Sequence, residues 1–79
     1  MNTNQEIEQY EDETISFDTP NWKPLEMFIP KEKLGEFMWM GTVSGKIETY
    51  KNCNTGHYVN IDSNGKFFKF DGYKYTEYA

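Results

Sequence analysis

Cys53 and His57, four positions apart, are the two side chains of this chain that would suit a nucleophile–base pair. A cysteine nucleophile needs an imidazole within hydrogen-bonding reach, a third group that orients the imidazole, and a place for the substrate. The intervening Asn54-Thr55-Gly56 is typical of a loop, and a thiol at a loop tip has no pocket beside it. Two such ligands are also too few for a zinc site. We therefore predict that the protein is not an enzyme and has no catalytic residue, metal or cofactor.

Two glycine-containing segments have a superficial similarity to ligand-binding loops. Residues 41–47 contain the glycines and the lysine of a phosphate loop, but the spacing is one residue short and no Ser or Thr follows the lysine. Residues 62–65 begin like a calcium loop, but two phenylalanines follow where further oxygen ligands are required. Both segments are better explained as hairpin turns, and no motif assigns the chain to a known family.

Regularly spaced turn signals after residue 38 predict a meander of short antiparallel strands. Ser44-Gly45, Asn54-Thr55-Gly56, Asn64-Gly65 and Asp71-Gly72 alternate with runs of β-branched and aromatic residues. We take the Ser-Gly, Asn-Gly and Asp-Gly pairs as two-residue loops and residues 52–56 as a longer loop. This register places six apolar residues on one face of the sheet: Val59, Ile61, Phe68, Phe70, Tyr73 and Tyr75.

A short helical segment is predicted before the strands. Leu34, Phe37 and Met38 recur at the spacing of one helix face, after the possible helix start at Pro30. Gly35 weakens this helix by about 1 kcal/mol. The predicted fold class is α+β, with a short N-terminal helical segment packed on a four- to five-stranded antiparallel β-meander.

The same register predicts a row of aromatic residues on the other face. Trp39 faces Tyr50, and Tyr50 faces Tyr58, across three strands. Two interpretations stay open: Phe17 or Trp22 covers this face as part of the core, or the face is a contact surface, since exposed apolar patches mark contacts. The predicted partner-binding residues are Trp39, Tyr50, Tyr58, Phe67, Lys69 and Tyr78.

Acidic residues are concentrated at the start of the chain. Six of the 13 acidic residues lie within the first nineteen positions, which contain no lysine and few apolar residues. Such a segment does not offset its ordering entropy by burial. We predict a disordered acidic arm at 1–19 and a single small domain at 20–79.

Composition also limits the partners. The chain has no arginine and a net charge of -5, which disfavours nucleic acid and anionic membranes. A single cysteine and the lack of any apolar run long enough for a membrane span predict a soluble, cytoplasmic protein.

Three functions follow from these features. The leading one is a small non-enzymatic protein-interaction module that binds a protein partner or a second copy of itself through the aromatic face. The second is an acidic inhibitor or nucleic-acid mimic from a mobile element. The third is a carbohydrate- or single-stranded nucleic-acid-binding domain, in which the aromatic residues stack on sugars or bases.

Overall fold

A computed structural model describes residues 15–78 and the backbone of residues 9–11. It confirms the antiparallel β architecture, but the predicted number of strands is wrong. Within the described residues, seven strands form one sheet in the order β1-β7-β6-β5-β4-β3-β2. The strands are β1 (Gln9–Glu11), β2 (Ile15–Ser16), β3 (Phe37–Val43), β4 (Ile47–Asn52), β5 (Tyr58–Asp62), β6 (Phe67–Phe70) and β7 (Lys74–Glu77).

The two additional strands lie in the first nineteen residues and pair with opposite edges of the meander. β1 pairs with β7, and β2 pairs with β3. Four residue steps separate Glu11 from Ile15, so these positions are at most about 14 Å apart. The sheet therefore curls until its two edges approach each other. Residues 1–8 and 12–14, with the acidic side chains of Glu6, Glu8, Asp12 and Glu13, lie outside the described residues, and the division into arm and domain stays a prediction.

Loop length shifts the pairing of β4 with β5 by one residue. The Asn52 N–H donates to the His57 carbonyl oxygen at 2.8 Å, so the loop has four residues rather than five. Tyr50 consequently lies opposite Val59, and Tyr58 lies opposite Lys51. The predicted Tyr50–Tyr58 pair is wrong because a slip of one residue moves a side chain to the other face of the sheet.

The turn between β5 and β6 produces a second slip of one residue. The Asp62 N–H donates to the Lys66 carbonyl oxygen at 3.0 Å, which leaves a three-residue loop that ends at Gly65 with φ 86°. This is a type of hairpin in which the glycine forms a bulge. Ile61 therefore lies opposite Phe67, whereas the two-residue loop had predicted Phe68.

A bulge in β3 restores the pairing that the sequence predicted for Trp39. Near the turn, Val43 lies opposite Ile47, one residue away from the prediction. The ladder then shifts between Trp39 and Thr42, where Gly41 has φ 114°. Trp39 faces Tyr50, as predicted, because the extra residue in β3 cancels the slip at the turn.

The last turn moves the partners but not the faces. Phe70 lies opposite Tyr75 rather than Tyr73. This shift of two residues keeps Phe68, Phe70 and Tyr75 on the same side of the sheet, as predicted. Val59 and Ile61, which the prediction placed with them, lie on the opposite side because of the earlier slip.

The predicted N-terminal helical segment is not supported. Between β2 and β3 the chain forms the four-residue helix α1 (Lys23–Glu26) and a 3-10 helix (Lys31–Glu36), and Phe37 and Met38 already belong to β3. Pairing with β4 outweighs the helical spacing of these apolar residues, which Gly35 had weakened. No helix within the described ranges has the length and apolar character needed to cross a membrane.

Both faces of the sheet carry apolar residues. On the face that we call convex, residues 21–36 cover Tyr50 and Ile61, and Leu25 is fully buried between them. On the opposite face, which we call concave, Val43, Ile47, Phe68 and Tyr75 form a second buried cluster. Because the sheet is curled, the part of its concave face that lies outside this cluster lines the hollow of the curve.

Candidate functional site

A cavity of about 540 Å³ lies on the concave face. Residues from β3, β4, β5, β6 and β7 border it, so it runs across the width of the meander. Its volume is within the range of about 300–1,000 Å³ that is typical of ligand sites. It is bordered by Ile15, Phe17, Met40, Thr49, Tyr58, Asn60, Phe68, Lys69, Phe70, Tyr75 and Tyr78.

Aromatic side chains form most of the cavity wall. Phe70 stacks on Tyr75 with 4.5 Å between ring centroids and 26° between ring planes. Phe68 and Tyr75 are buried, whereas Tyr58 and Tyr78 leave more than half of their surface exposed. The wall therefore continues outward into an apolar rim at the protein surface.

Two polar side chains, Thr49 and Asn60, face each other across β4 and β5 beneath this wall. The Thr49 hydroxyl donates to the Gly41 carbonyl oxygen at 2.9 Å. The Asn60 Nδ2 donates to the Phe68 carbonyl oxygen at 3.2 Å. The Asn60 Oδ1 is buried and accepts no hydrogen bond from any described residue. A buried acceptor without a donor is costly, so this oxygen lowers the stability of the fold in this arrangement.

The chain before the helical turns supplies the remaining wall through Ile15 and Phe17. These residues follow the backbone of β3 closely at Gly41. A Cβ atom at Gly41 would lie 2.9 Å from Ile15 Cγ2 and 3.0 Å from Phe17 Cε1. Glycine is thus required at this position for the segment to reach the cavity.

The structure does not bring the six predicted partner-binding residues together. Trp39, Tyr50 and Phe67 lie on the convex face, in or against the buried cluster. Tyr58, Lys69 and Tyr78 border the cavity. The Lys69 Nζ lies 5.8 Å from the centroid of the Tyr78 ring.

Residues 21–36 cover the convex face, one of the two arrangements that the sequence left open. Trp22 lies over Tyr50 with 5.3 Å between ring centroids. Phe17, which borders the cavity, meets Trp39 edge-on at 6.4 Å. Tyr50 is fully buried, and its hydroxyl donates to the Asn21 carbonyl oxygen at 2.6 Å. Burial raises the pKa of Tyr50 well above its usual value, and the nearby carboxylate of Glu48 adds to the effect. Tyr50 has no surface that a partner could contact in this arrangement.

Glu48 is a buried carboxylate that holds the covering segment and β3 in place. Its Oε1 accepts hydrogen bonds from Trp39 Nε1 and Thr42 Oγ1, both at 2.7 Å. Its Oε2 accepts one from Asn21 Nδ2 at 3.5 Å. These bonds use the carboxylate as a structural acceptor.

The other chemically capable side chains do not form a second site. Glu48 and Asp62 border a smaller cavity of about 280 Å³, but Asp62 Oδ1 accepts two backbone N–H groups of its own turn. Cys53 and His57 are both exposed on the loop between β4 and β5. No group of three or more His, Cys, Asp or Glu side chains able to hold a metal occurs within the described part of the chain.

The predicted register puts Val59 and Ile61 on the face of Phe68, so Asn60 between them would fall on the face of Tyr50. The structure shows the reverse, because the loop lengths shift the pairing of β5 by one residue. A buried position for an asparagine in mid-strand would have been the signal, but only the correct register shows that burial.

Comparison with protein-family models, with curated proteins and with solved structures found no match.

Proposed function

We propose that the protein is a small non-enzymatic interaction module that binds an apolar segment of a partner protein in the concave cavity. The observation that carries this proposal is an open cavity of about 540 Å³ whose aromatic wall continues into an exposed rim. Apolar surface that folding leaves exposed in one patch is typical of contact sites.

The rim favours a protein partner over a small ligand. Phe17, Tyr58, Phe70 and Tyr78 border the cavity and are all exposed. A small ligand inside the cavity would leave most of this rim in water. A partner segment that also covers the rim removes the apolar surface of the rim from water. The hydrophobic effect contributes about 25 cal/mol of favourable free energy for each Å² of apolar surface that is removed in this way. Aromatic residues arranged in this way commonly dominate binding energy at interfaces.

The proposal keeps the interaction module predicted from the sequence but moves its contact surface. Tyr58 and Tyr78 remain contact residues, whereas the side chain of Lys69, between Phe68 and Phe70 in β6, projects from the other face of the sheet. Trp39 and Tyr50 instead belong to the packing of residues 21–36 on the convex face, where the Trp22 ring lies over the Tyr50 ring.

The test begins with the selection of peptides from a display library on the immobilised full chain. Isothermal titration then measures the affinity of each peptide for the wild type, for Tyr58→Ser and for Tyr73→Ser. The two tyrosines are similarly exposed, at 52% and 63%, but only Tyr58 borders the cavity. We expect Tyr58→Ser to weaken binding by about tenfold or more, and Tyr73→Ser to leave it within about twofold.

Two results would contradict the proposal. One is an equal affinity of all three proteins for the peptides. The other is a set of amide chemical-shift changes confined to residues 21–36. If the full chain instead forms a dimer by light scattering, and Tyr58→Ser dissociates it, the partner is a second copy of the chain.

A carbohydrate or single-stranded nucleic acid is the second candidate. The exposed rings of Tyr58 and Tyr78, with the Lys69 ammonium beside the latter, are of the kind on which sugars or bases stack. Titration with oligosaccharides and with an oligothymidylate tests it through the same amide resonances. The acidic mimic has no such support, since Glu6, Glu8, Asp12 and Glu13 lie outside the described residues.

A further inference from the structure

We infer that the partner segment carries an acidic residue between two apolar ones, and that its carboxylate pairs with the Lys51 ammonium beside the cavity. This inference rests on the proposed function and names the chemistry of the partner that the surface selects. It follows from the order of the side chains across β3, β4 and β5, and from the charge of Lys51.

The contact surface continues past the cavity along β4. Thr49 borders the cavity, and Lys51 lies two residues further along the strand, so its side chain projects from the same face of the sheet. Met38 lies directly opposite Lys51 on one side, and Tyr58, which also borders the cavity, lies directly opposite it on the other. Met38, Lys51 and Tyr58 therefore form one row across three strands.

This row places a single charge between two exposed apolar side chains. Met38 and Tyr58 each leave 52% of their surface exposed, and Lys51 between them is half-buried. The stem of a lysine in such a place packs on its apolar neighbours, while the ammonium group stays in water. A partner that covers the two apolar side chains must therefore also cover the ammonium.

Within the described residues, the Lys51 ammonium has no carboxylate partner. Glu36 precedes Met38 by two residues, but its Oε2 is ion-paired with Lys33 Nζ at 3.7 Å. Removing an unpaired charge from water is costly. A carboxylate of the partner that meets the ammonium offsets this cost, whereas a neutral or basic residue at the same place does not. The row consequently selects an acidic residue.

Strand geometry gives the spacing of the partner residues. Neighbouring strands lie about 4.8 Å apart, so Met38 and Tyr58 are separated by about 10 Å across the sheet. In an extended peptide, every second side chain lies on one face, and the first and fifth residues are about 13 Å apart. An apolar residue, an acidic residue and a second apolar residue, each two positions from the next, therefore match the row.

The experiment uses two capped pentapeptides and the isotope-labelled full chain. One is acetyl-Phe-Gly-Glu-Gly-Phe-amide, and the other has glutamine in place of glutamate, which keeps the shape and removes the charge. We expect both to shift the amide resonances of Lys51, Tyr58 and Phe68. We expect the glutamate peptide to bind about two- to fivefold more tightly at low salt, as an exposed ion pair allows. Sodium chloride at about 0.5 M should reduce this preference.

Two variants with the same change of charge identify the cation. In Lys51→Gln the two peptides should bind equally. Lys23→Gln removes one positive charge from an exposed position in α1, among the residues that cover the convex face. It should keep the preference for the glutamate peptide.

The outcomes separate the inference from the proposed function. Equal affinity of the two peptides for the wild type, or a preference that persists in Lys51→Gln, overturns the inference but leaves the cavity as the binding site. The absence of any shift at Tyr58 and Phe68 overturns both. An oligothymidylate that shifts the same resonances and binds more tightly than the glutamate peptide would assign Lys51 to a phosphate group and overturn the protein source. The wild-type comparison stands even if Lys51→Gln fails to fold.

Discussion

Replacing Gly41 by alanine tests how the segment before the helical turns is held against the curled sheet. Gly41 has φ 114°, and an added Cβ atom would meet Ile15 Cγ2 at 2.9 Å, Phe17 Cε1 at 3.0 Å and the Ser16 carbonyl oxygen at 3.2 Å. Two costs follow. The backbone strain of a non-glycine residue at positive φ is about 1–3 kcal/mol. Forcing a methyl group into an occupied space costs about 1–3 kcal/mol more.

Gly72→Ala is the matched control for Gly41→Ala. Gly72 has a similar φ of 99°, but a Cβ atom there has no neighbour within 4 Å. It carries only the cost of backbone strain, so we expect Gly41→Ala to lower the free energy of unfolding by about 1–3 kcal/mol more than the control. Urea unfolding measures both variants. Hydrogen exchange of the Ser16 and Val43 amides then reports whether β2 has separated from β3.

The reasoning would be refuted by one pattern of results. In that pattern, both variants lose the same free energy of unfolding to within about 0.5 kcal/mol, the size generally expected of a surface substitution. Hydrogen exchange at Ser16 is also no faster in Gly41→Ala than in the wild type. Gly41 is then not the reason that the segment can approach β3.

Three further predictions concern side chains away from the cavity. Glu48→Ala leaves the partly buried Trp39 N–H and Thr42 hydroxyl without their acceptor, so it should destabilise the protein by about 1–3 kcal/mol in urea unfolding. The exposed control Glu26→Ala should stay within about 0.5 kcal/mol of the wild type. Tyr50→Phe removes the hydrogen bond from the Tyr50 hydroxyl to the Asn21 carbonyl oxygen and should lower the free energy of unfolding by about 0.5–1.5 kcal/mol. Tyr58→Phe, at an exposed position, should lower it by less. Equal losses in the two variants would contradict the burial of Tyr50. Backbone N–H groups of its own turn hold the pKa of the Asp71 carboxyl below its usual value. The bonds to that carboxylate are therefore present above the unfolded pKa and lost as pH falls through the lower folded pKa; a carboxyl carbon titration by NMR that shows an ordinary or raised pKa would contradict this.

The positions of the turns could be predicted from the sequence, whereas the lengths of the turns could not. Glycine after Ser44, Asn64 and Asp71 marks each reversal of the chain, because these residues favour the positive φ that tight turns need. The same dipeptide also suits a two-residue loop or a three-residue loop with a bulge. At Asn64-Gly65 the bonds from the Asn64 and Lys66 N–H groups to Asp62 Oδ1 accompany the longer form.

Less of the candidate site than of the fold could be predicted from the sequence. Tyr58, Lys69 and Tyr78 were selected for their chemistry and do border the cavity. Asn60 was assigned to the other face, since a slip of one residue in a period of two reverses every assignment in a strand. Trp39 and Tyr50 were correctly paired, but the burial of Tyr50 depends on Trp22, which lies far away in the sequence.

The sequence by itself determined that this chain is an antiparallel meander, because turn residues and alternating apolar positions act within a few residues of one another. It also determined that both faces of the sheet would carry aromatic residues. Only the tertiary structure decided which face is covered, through the packing of residues 21–36 on Tyr50, and which face is concave, through the pairing of β1 and β2 with opposite edges. Those contacts join residues that are distant along the chain, so no local pattern specifies them. The cavity is a product of that long-range closure.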